Sequence, residues 1–238
     1  MDFSIIKKLG FKLENVIHVG AHKFEELNFY QTIQSQRVLW VDPLDIYLPN
    51  SLPMGHSFLK RFVTSDEASH SAFITYENTG LSSSKIISHP RNLLFGTVGD
   101  YSQSMVPNIS GRNLQEISTA GCPPLQVSIC VDVQGSEWEV LKSFDLEKIS
   151  EIIVETSRTN LYKESKPYKD IINLLLDAGF YHNFNGSDFL LGHGDQYLSR
   201  LNKKYPFFQF FYRAKGSIIR LLSTKHRILL AIRNRITN

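Results

Sequence analysis

Cysteine is scarce in this chain of 238 residues: Cys122 stands in a Gly-Cys-Pro-Pro stretch and Cys130 inside an apolar run. Two thiols in such unlike settings argue against a disulfide framework or a cysteine-based metal centre and favour a reducing compartment. No stretch approaches the ~20 apolar residues of a membrane-spanning helix. The opening Met1-Asp-Phe-Ser-Ile-Ile-Lys-Lys8 holds no apolar run long enough for a secretory leader. The cytoplasm is the expected location. Internal repeats and low-complexity stretches are also missing, and the length suits one domain with a full core. The last absence is one of charge. No acid follows Asp195, whereas ten of the 26 lysines and arginines do. Residues 1–195 therefore set 16 bases against 23 acids, a net −7, and residues 196–238 carry +10. The expected organisation is an acidic domain over 1–195 and a basic tail over 196–238.

What is present alternates between strand and helix. Residues 5–14 read as a short amphipathic helix, and Val16-Ile-His-Val19 as a buried strand broken by Gly20 and Ala21. Phe24 to Ile33 has helical spacing, with Glu25 and Glu26 in its first turn. Arg37 to Asp42 is a second strand, stopped by Pro43. Together they predict a βαβ unit. Strands are also expected within Ser57–Thr64, His70–Glu77 and Glu151–Thr156, and a helix over Tyr168–Ala178 closed by Gly179. Phe180–Phe184 and Asp188–Leu191, joined through Asn185-Gly186, read as a hairpin. Residues 78–124 show little periodicity, so they are a functional loop, such as a substrate lid, or conceal an element. The fold class is α/β: a Rossmann-like, mostly parallel sheet with a C-terminal antiparallel hairpin and a basic amphipathic helical tail.

The centre of the pattern is Val127-Ser-Ile-Cys-Val-Asp132-Val-Gln-Gly135-Ser136. A buried strand ends on an acid, Gly135 permits a tight turn, and Ser136 is placed to cap the next helix. Asp42 and Glu155 end two other strands in the same way. Three acids at carboxyl ends would line one edge of the sheet, where open α/β sheets bind ligands. The plainer alternative for each is a solvated or helix-capping carboxylate. The loop after the first strand, Val19-Gly-Ala-His-Lys-Phe-Glu-Glu26, has one glycine where a dinucleotide-binding turn has three. That disfavours a pyrophosphate ligand and with it a nicotinamide-dependent enzyme. A ligand without phosphates fits better, with its ribose hydroxyls on Asp42.

The segments Val16-Ile-His-Val-Gly-Ala-His22, Leu39-Trp-Val-Asp-Pro43, Asn78-Thr-Gly-Leu-Ser-Ser-Ser84, Val131-Asp-Val-Gln-Gly-Ser-Glu137, Ile153-Val-Glu-Thr156 and Asn185-Gly-Ser-Asp-Phe189 occur in an informative order. Over residues 14–192 the chain resembles FkbM-type methyltransferases, of the class I S-adenosylmethionine-dependent fold. The resemblance implies S-adenosyl-L-methionine as cofactor, with Gly20 and Ala21 beneath it and Asp42 on its ribose. It places Ser83, within Ser82–Ser84, and Asp132 beside the methionine end. It also implies O-methylation of a saccharide, glycan or related small molecule, in a setting of polysaccharide biosynthesis. Two positions depart from the family pattern: His18 stands where most members have an acid, and Phe24 replaces a later glycine of the loop.

Methyl transfer to a hydroxyl requires alignment and the removal of one proton. Asp132, Glu155 and His22 are the catalytic candidates, and His18 reads as a packed strand residue. Trp40 and Trp138 read as core. No histidine spacing supports a metal, so none is expected. The tail, with aromatics from Tyr205 and an amphipathic helix over Ser217–Ile236, suits an anionic membrane surface or a protein partner. Nucleic acid is not expected, because the body is acidic. The rival function is a catalytically inactive methyltransferase fold that serves as an adaptor through this tail.

Overall fold

The computed structural model describes residues 3–65, 69–76, 101–120, 127–156, 162, 164–187 and 194–201. Ser83, the tail from 202 onward and the expected strand at Asp188–Leu191 lie outside these residues. Helix α1 (Phe3–Leu9) leads into β1 (Asn15–Val19), α2 (Leu27–Thr32), β2 (Arg37–Asp42) and β3 (His56–Lys60). Then come β4 (Phe62–Val63), β5 (His70–Tyr76), β6 (Tyr101–Ile109) and α3 (Gly111–Thr119). The chain continues through β7 (Val127–Val131), α4 (Glu137–Ser143), β8 (Ile149–Thr156), α5 (Tyr168–Asp177), β9 (Tyr181–Asn185) and β10 (Gly194–Ser199).

Seven strands form the main sheet in the order β3-β2-β1-β7-β8-β10-β9. The first five run parallel, and β10 is antiparallel to both β8 and β9. Every residue of β1 and β7 is buried, as the unbroken branched runs require when both faces of a sheet are covered. One face carries Ile17, Val41, Ile129, Val131 and Ile152, packed with Leu114 of α3, Val140 and Leu141 of α4, and Ile172 and Leu175 of α5. The other carries Val16, Trp40, Cys130, Ile153 and Tyr197, packed with Ile5, Ile6 and Leu9 of α1 and Tyr30 of α2. Period-two alternation along each strand feeds these two cores in turn.

Several expectations are corrected. The first helix ends at Leu9, because Gly10 turns left-handed (φ 62°), and residues 11–14 enter β1 without helix. The second begins at Leu27 rather than Phe24, whose own φ is +57°. The single strand expected within Ser57–Thr64 is two, split at Arg61: β3 joins the main sheet and β4 a second, three-stranded sheet in the order β4-β6-β5. The unpatterned 78–124 contains β6 and α3. Ser110 caps α3 by accepting the Asn113 amide at 3.2 Å. The strand that pairs with β9 is Gly194–Ser199, later than the hairpin reading placed it. Among the described residues no helix is long and apolar enough to cross a membrane.

Candidate active site

Parallel pairing sets the carboxyl ends of β1, β2, β7 and β8 along one edge of the sheet. Between β1 and β7 the strand order reverses, which makes the crevice there the expected ligand position. Gly20 lies at this reversal. Its amide donates to Val41 O on one side (2.8 Å), while the Asp132 amide donates to Val19 O on the other (2.9 Å). Gly20 has φ +96°, and a Cβ on it would overlap the carbonyl oxygen of Asp132. Only glycine lets the ends of β1 and β7 approach this closely.

The loop from Gly20 to Glu26 is held in an unusual backbone. His22 (φ 38°) and Phe24 (φ 57°) both occupy the left-handed region, where side chains are strained. Phe24 therefore keeps the conformation that a glycine would favour. Its buried ring packs on Trp40 and Phe58 at 5.1 and 5.8 Å between centroids, which offsets the strain. Asp42 ties the loop down: one carboxylate oxygen accepts the His22 amide at 2.9 Å and the other the Leu44 amide at 2.7 Å. Burial raises the Asp42 carboxyl above its ordinary value, and these amides pull the other way. Two amide bonds leave part of the carboxylate's acceptor capacity for ligand hydroxyls. His22 itself lies beside Asp42, with its Nδ1 3.9 Å from Glu25 and its ring against Tyr47.

Two and three strands away, Asp132 and Glu155 share one donor. The Gln134 amide nitrogen is 3.3 Å from a carboxylate oxygen of each, and the Tyr162 hydroxyl is 3.4 Å from the Gln134 carbonyl oxygen. Burial first, and then the charge of Glu155, pushes the Asp132 carboxyl well above the usual range. Ser136 precedes α4 as expected but makes no capping bond; the Glu137 carboxylate accepts the Gly135 amide instead. Asp195 completes the row. It opposes Glu155 across the β8–β10 ladder, accepts from the Tyr197 hydroxyl at 3.2 Å, and is raised by burial above the ordinary carboxylate value. The crevice thus runs from Asp42 on β2, past Gly20, to Asp132, Glu155 and Asp195.

The match to known families now decides the matter. Residues 18–181 match the model of the methyltransferase FkbM domain. The chain belongs to the FkbM methyltransferase family. No match was found among curated proteins or among solved structures. An FkbM methyltransferase transfers methyl groups, and the seven-stranded mixed sheet is the α/β methyltransferase architecture. Among the described residues of this FkbM protein, no three His, Cys, Asp or Glu are grouped to hold a metal ion.

The sequence candidates fall into two groups: Gly20, Ala21, His22 and Asp42 at the β1–β2 end, Asp132 and Glu155 at the β7–β8 end. Asp195, Gln134 and Tyr162 were not singled out. Asp195 had one signal, being the last acid before a wholly basic stretch. Its strand escaped notice because Gln196 and Ser199 are buried polar residues. Gln196 is satisfied by Ser187 and His182, and Ser199 by Asn183. His18 is buried within the sheet and Trp40 is core, while Trp138 is partly buried with Lys142 and Lys166 near its ring.

The raised Asp132 carboxyl has a consequence for stability. Because its folded value lies above its unfolded one, its favourable contribution is complete below the ordinary carboxylate range and is lost as pH rises through the folded value. At neutral pH the protein bears that cost. Asp132→Asn keeps an acceptor for Gln134, removes the charge and is expected to melt at least ~3 °C higher at pH 8. The gap should close toward pH 4. Melting curves across that range test this, and a variant less stable than wild type at pH 8 contradicts it.

Proposed function

We propose that this FkbM protein transfers a methyl group from S-adenosyl-L-methionine to an oxygen of a saccharide, glycan or related small molecule in the cytoplasm. The observation that carries the reading is the placement of Gly20, Asp42 and Asp132 around the strand-order reversal, with Asp132 in a crowd of carboxylates. The residues fit the cofactor. Gly20 lets the ends of β1 and β7 close together at the strand-order reversal, Asp42 is placed for two ribose hydroxyls, and the acidic end suits a cation. When bound, the cofactor supplies a methyl group already activated on a sulfonium.

The chain's own part is alignment and proton removal. Adjacent strands are ~4.8 Å apart, so Asp132 lies about 10 Å from Asp42 across β1, and Glu155 and Asp195 lie one and two strands farther. Asp132 therefore serves the cofactor's far end, and Glu155 faces the acceptor side, where its carboxylate takes the hydroxyl proton. His22, beside Asp42, serves the ribose end rather than the proton transfer.

Calorimetric titration of S-adenosylmethionine and S-adenosylhomocysteine, with NAD as control, tests the reading. Micromolar binding of the two adenosyl ligands is expected, weakened at least ~10-fold by Asp42→Ala, since hydrogen bonds to a charged group are worth ~1.5–3 kcal/mol. A preference for NAD would favour a nicotinamide-dependent enzyme. No binding of any of the three would favour the inactive adaptor.

A further inference from the structure

We propose that Gln134, locked by Tyr162, is a positioning residue that holds the Asp132 and Glu155 carboxylates side by side as two separate anions and so keeps Glu155 ready to take a proton. This rests on the reading of Glu155 as proton acceptor above. Asp132 directly follows β7, and Glu155 lies on the neighbouring strand β8. Two carboxylates set close together in a buried site resist ionising together and tend to keep one proton between them. Burial and the charge of Glu155 press Asp132 in that direction. A proton shared by the pair would leave the acceptor end without a base.

The Gln134 amide takes the place of that proton. Its Nε2 is 3.3 Å from Asp132 Oδ1 and 3.3 Å from Glu155 Oε2. A primary amide carries two N–H groups, so one nitrogen serves both carboxylates. Chemistry fixes which end of the amide faces them: ionised carboxylates only accept, so the nitrogen turns toward them and the oxygen away. The Tyr162 hydroxyl, 3.4 Å from that oxygen, donates to it and opposes the flip. Tyr162 is itself held in place. It is 4% exposed, its carbonyl oxygen accepts from Ser165 Oγ at 2.9 Å, and a Cβ on Gly135 would come within 2.8 Å of its ring. Gly135 thus serves twice, for the turn at φ +87° and for the ring that lies on it. Two further acids bear on the pair. Asp195 opposes Glu155 from β10 and is engaged by the Tyr197 hydroxyl, and Glu26, just before α2, acts on Asp132 by its charge. Both add negative charge, which increases the need for a donor between the carboxylates.

The test follows the carboxyl carbon-13 resonances of the full-length protein, labelled at Asp and Glu, from pH 4 to pH 9. Asp132→Asn and Glu155→Gln assign the two signals, and melting curves verify folding. Wild type is expected to show both carboxylates ionised at pH 8. Gln134→Met keeps the length of the side chain but loses both N–H groups, and should raise the upper titration step of the pair by about one pH unit or more. Tyr162→Phe keeps the ring on Gly135, loses the hydroxyl and should raise the step by less. Gln134→Lys restores a donor and should bring the step back to the wild-type value or below. An unmoved step in Gln134→Met would assign the amide a merely structural role and overturn the proposal, as would a wild-type pair that holds a proton at pH 8. Should Gln134→Met fail to fold, an unmoved step in Tyr162→Phe overturns it equally. The titration needs no ligand, so wild type that binds no adenosyl ligand in calorimetry overturns the S-adenosylmethionine reading and not the amide clamp.

Discussion

Gly20→Ala is expected to abolish binding of adenosyl ligands and to lower the melting temperature by about 10 °C or more. Two effects add. At φ +96° any Cβ is strained, which alone costs of order 1–3 kcal/mol. The Cβ would also overlap Asp132 O, a backbone atom that cannot rotate away. Relief requires β1 and β7 to part where Asp132 N meets Val19 O. Forcing atoms into a packed site costs ~1–3 kcal/mol more, and each kcal/mol lowers the melting temperature of a chain this size by ~2–4 °C. Gly55→Ala is the matched control. Gly55 has φ +83° and abuts Gln36 O at the opposite end of the β2–β3 pair, so a similar melting loss should leave ligand affinity intact. Wild-type affinity in Gly20→Ala would contradict the site as placed here.

Arg200→Ala is expected to cost ~3 kcal/mol of stability and to leave ligand affinity unchanged. The guanidinium donates to Leu146 O at 2.6 Å, to Ile149 O at 3.3 Å and to Ala178 O. It also lies 4.0 Å over the Phe180 ring. One side chain thus joins the end of α5, the turn before β8 and the start of β8. Truncation leaves three carbonyls without their cation and removes a cation–π contact, each effect being worth ~1 kcal/mol or more. Arg200→Lys should recover part of the loss, because a point charge cannot reproduce the planar fork. Ile149 is six residues from Glu155 along β8, about 20 Å. Denaturant melts together with S-adenosylhomocysteine titration test both halves. A melt within 1 °C of wild type, or a large affinity loss, contradicts the assignment.

Legibility in the sequence followed burial. The strands β1, β2, β7 and β8 were readable because each is an apolar run covered on both faces, and α5 because Ile171, Ile172 and Leu175 recur on one side. β6 and β10 were not. Ser102, Gln103 and Ser104 of β6 are exposed, and β10 buries Gln196 and Ser199 through side-chain hydrogen bonds, so neither shows the hydrophobic alternation that marks a strand. The acids Asp42, Asp132 and Glu155 could be chosen because they end readable strands. Asp195 begins an unreadable one. Phe24 looked like a departure from a glycine pattern, yet it holds a glycine-like φ because its ring is anchored on Trp40 and Phe58, contacts made across strands and invisible in one dimension.

The sequence by itself determined an α/β protein with acids ending three of its buried strands and a single-glycine loop after the first. Local pattern suffices for that, since period, turn residues and strand ends are properties of neighbouring residues. Only the tertiary structure decided which acids meet. Bringing Asp132, Glu155 and Asp195 together depends on β7 pairing with β8, and on β10 entering antiparallel between β8 and β9. Strand order is a long-range outcome of packing two cores against one sheet, and the electrostatics of the crevice follow from it.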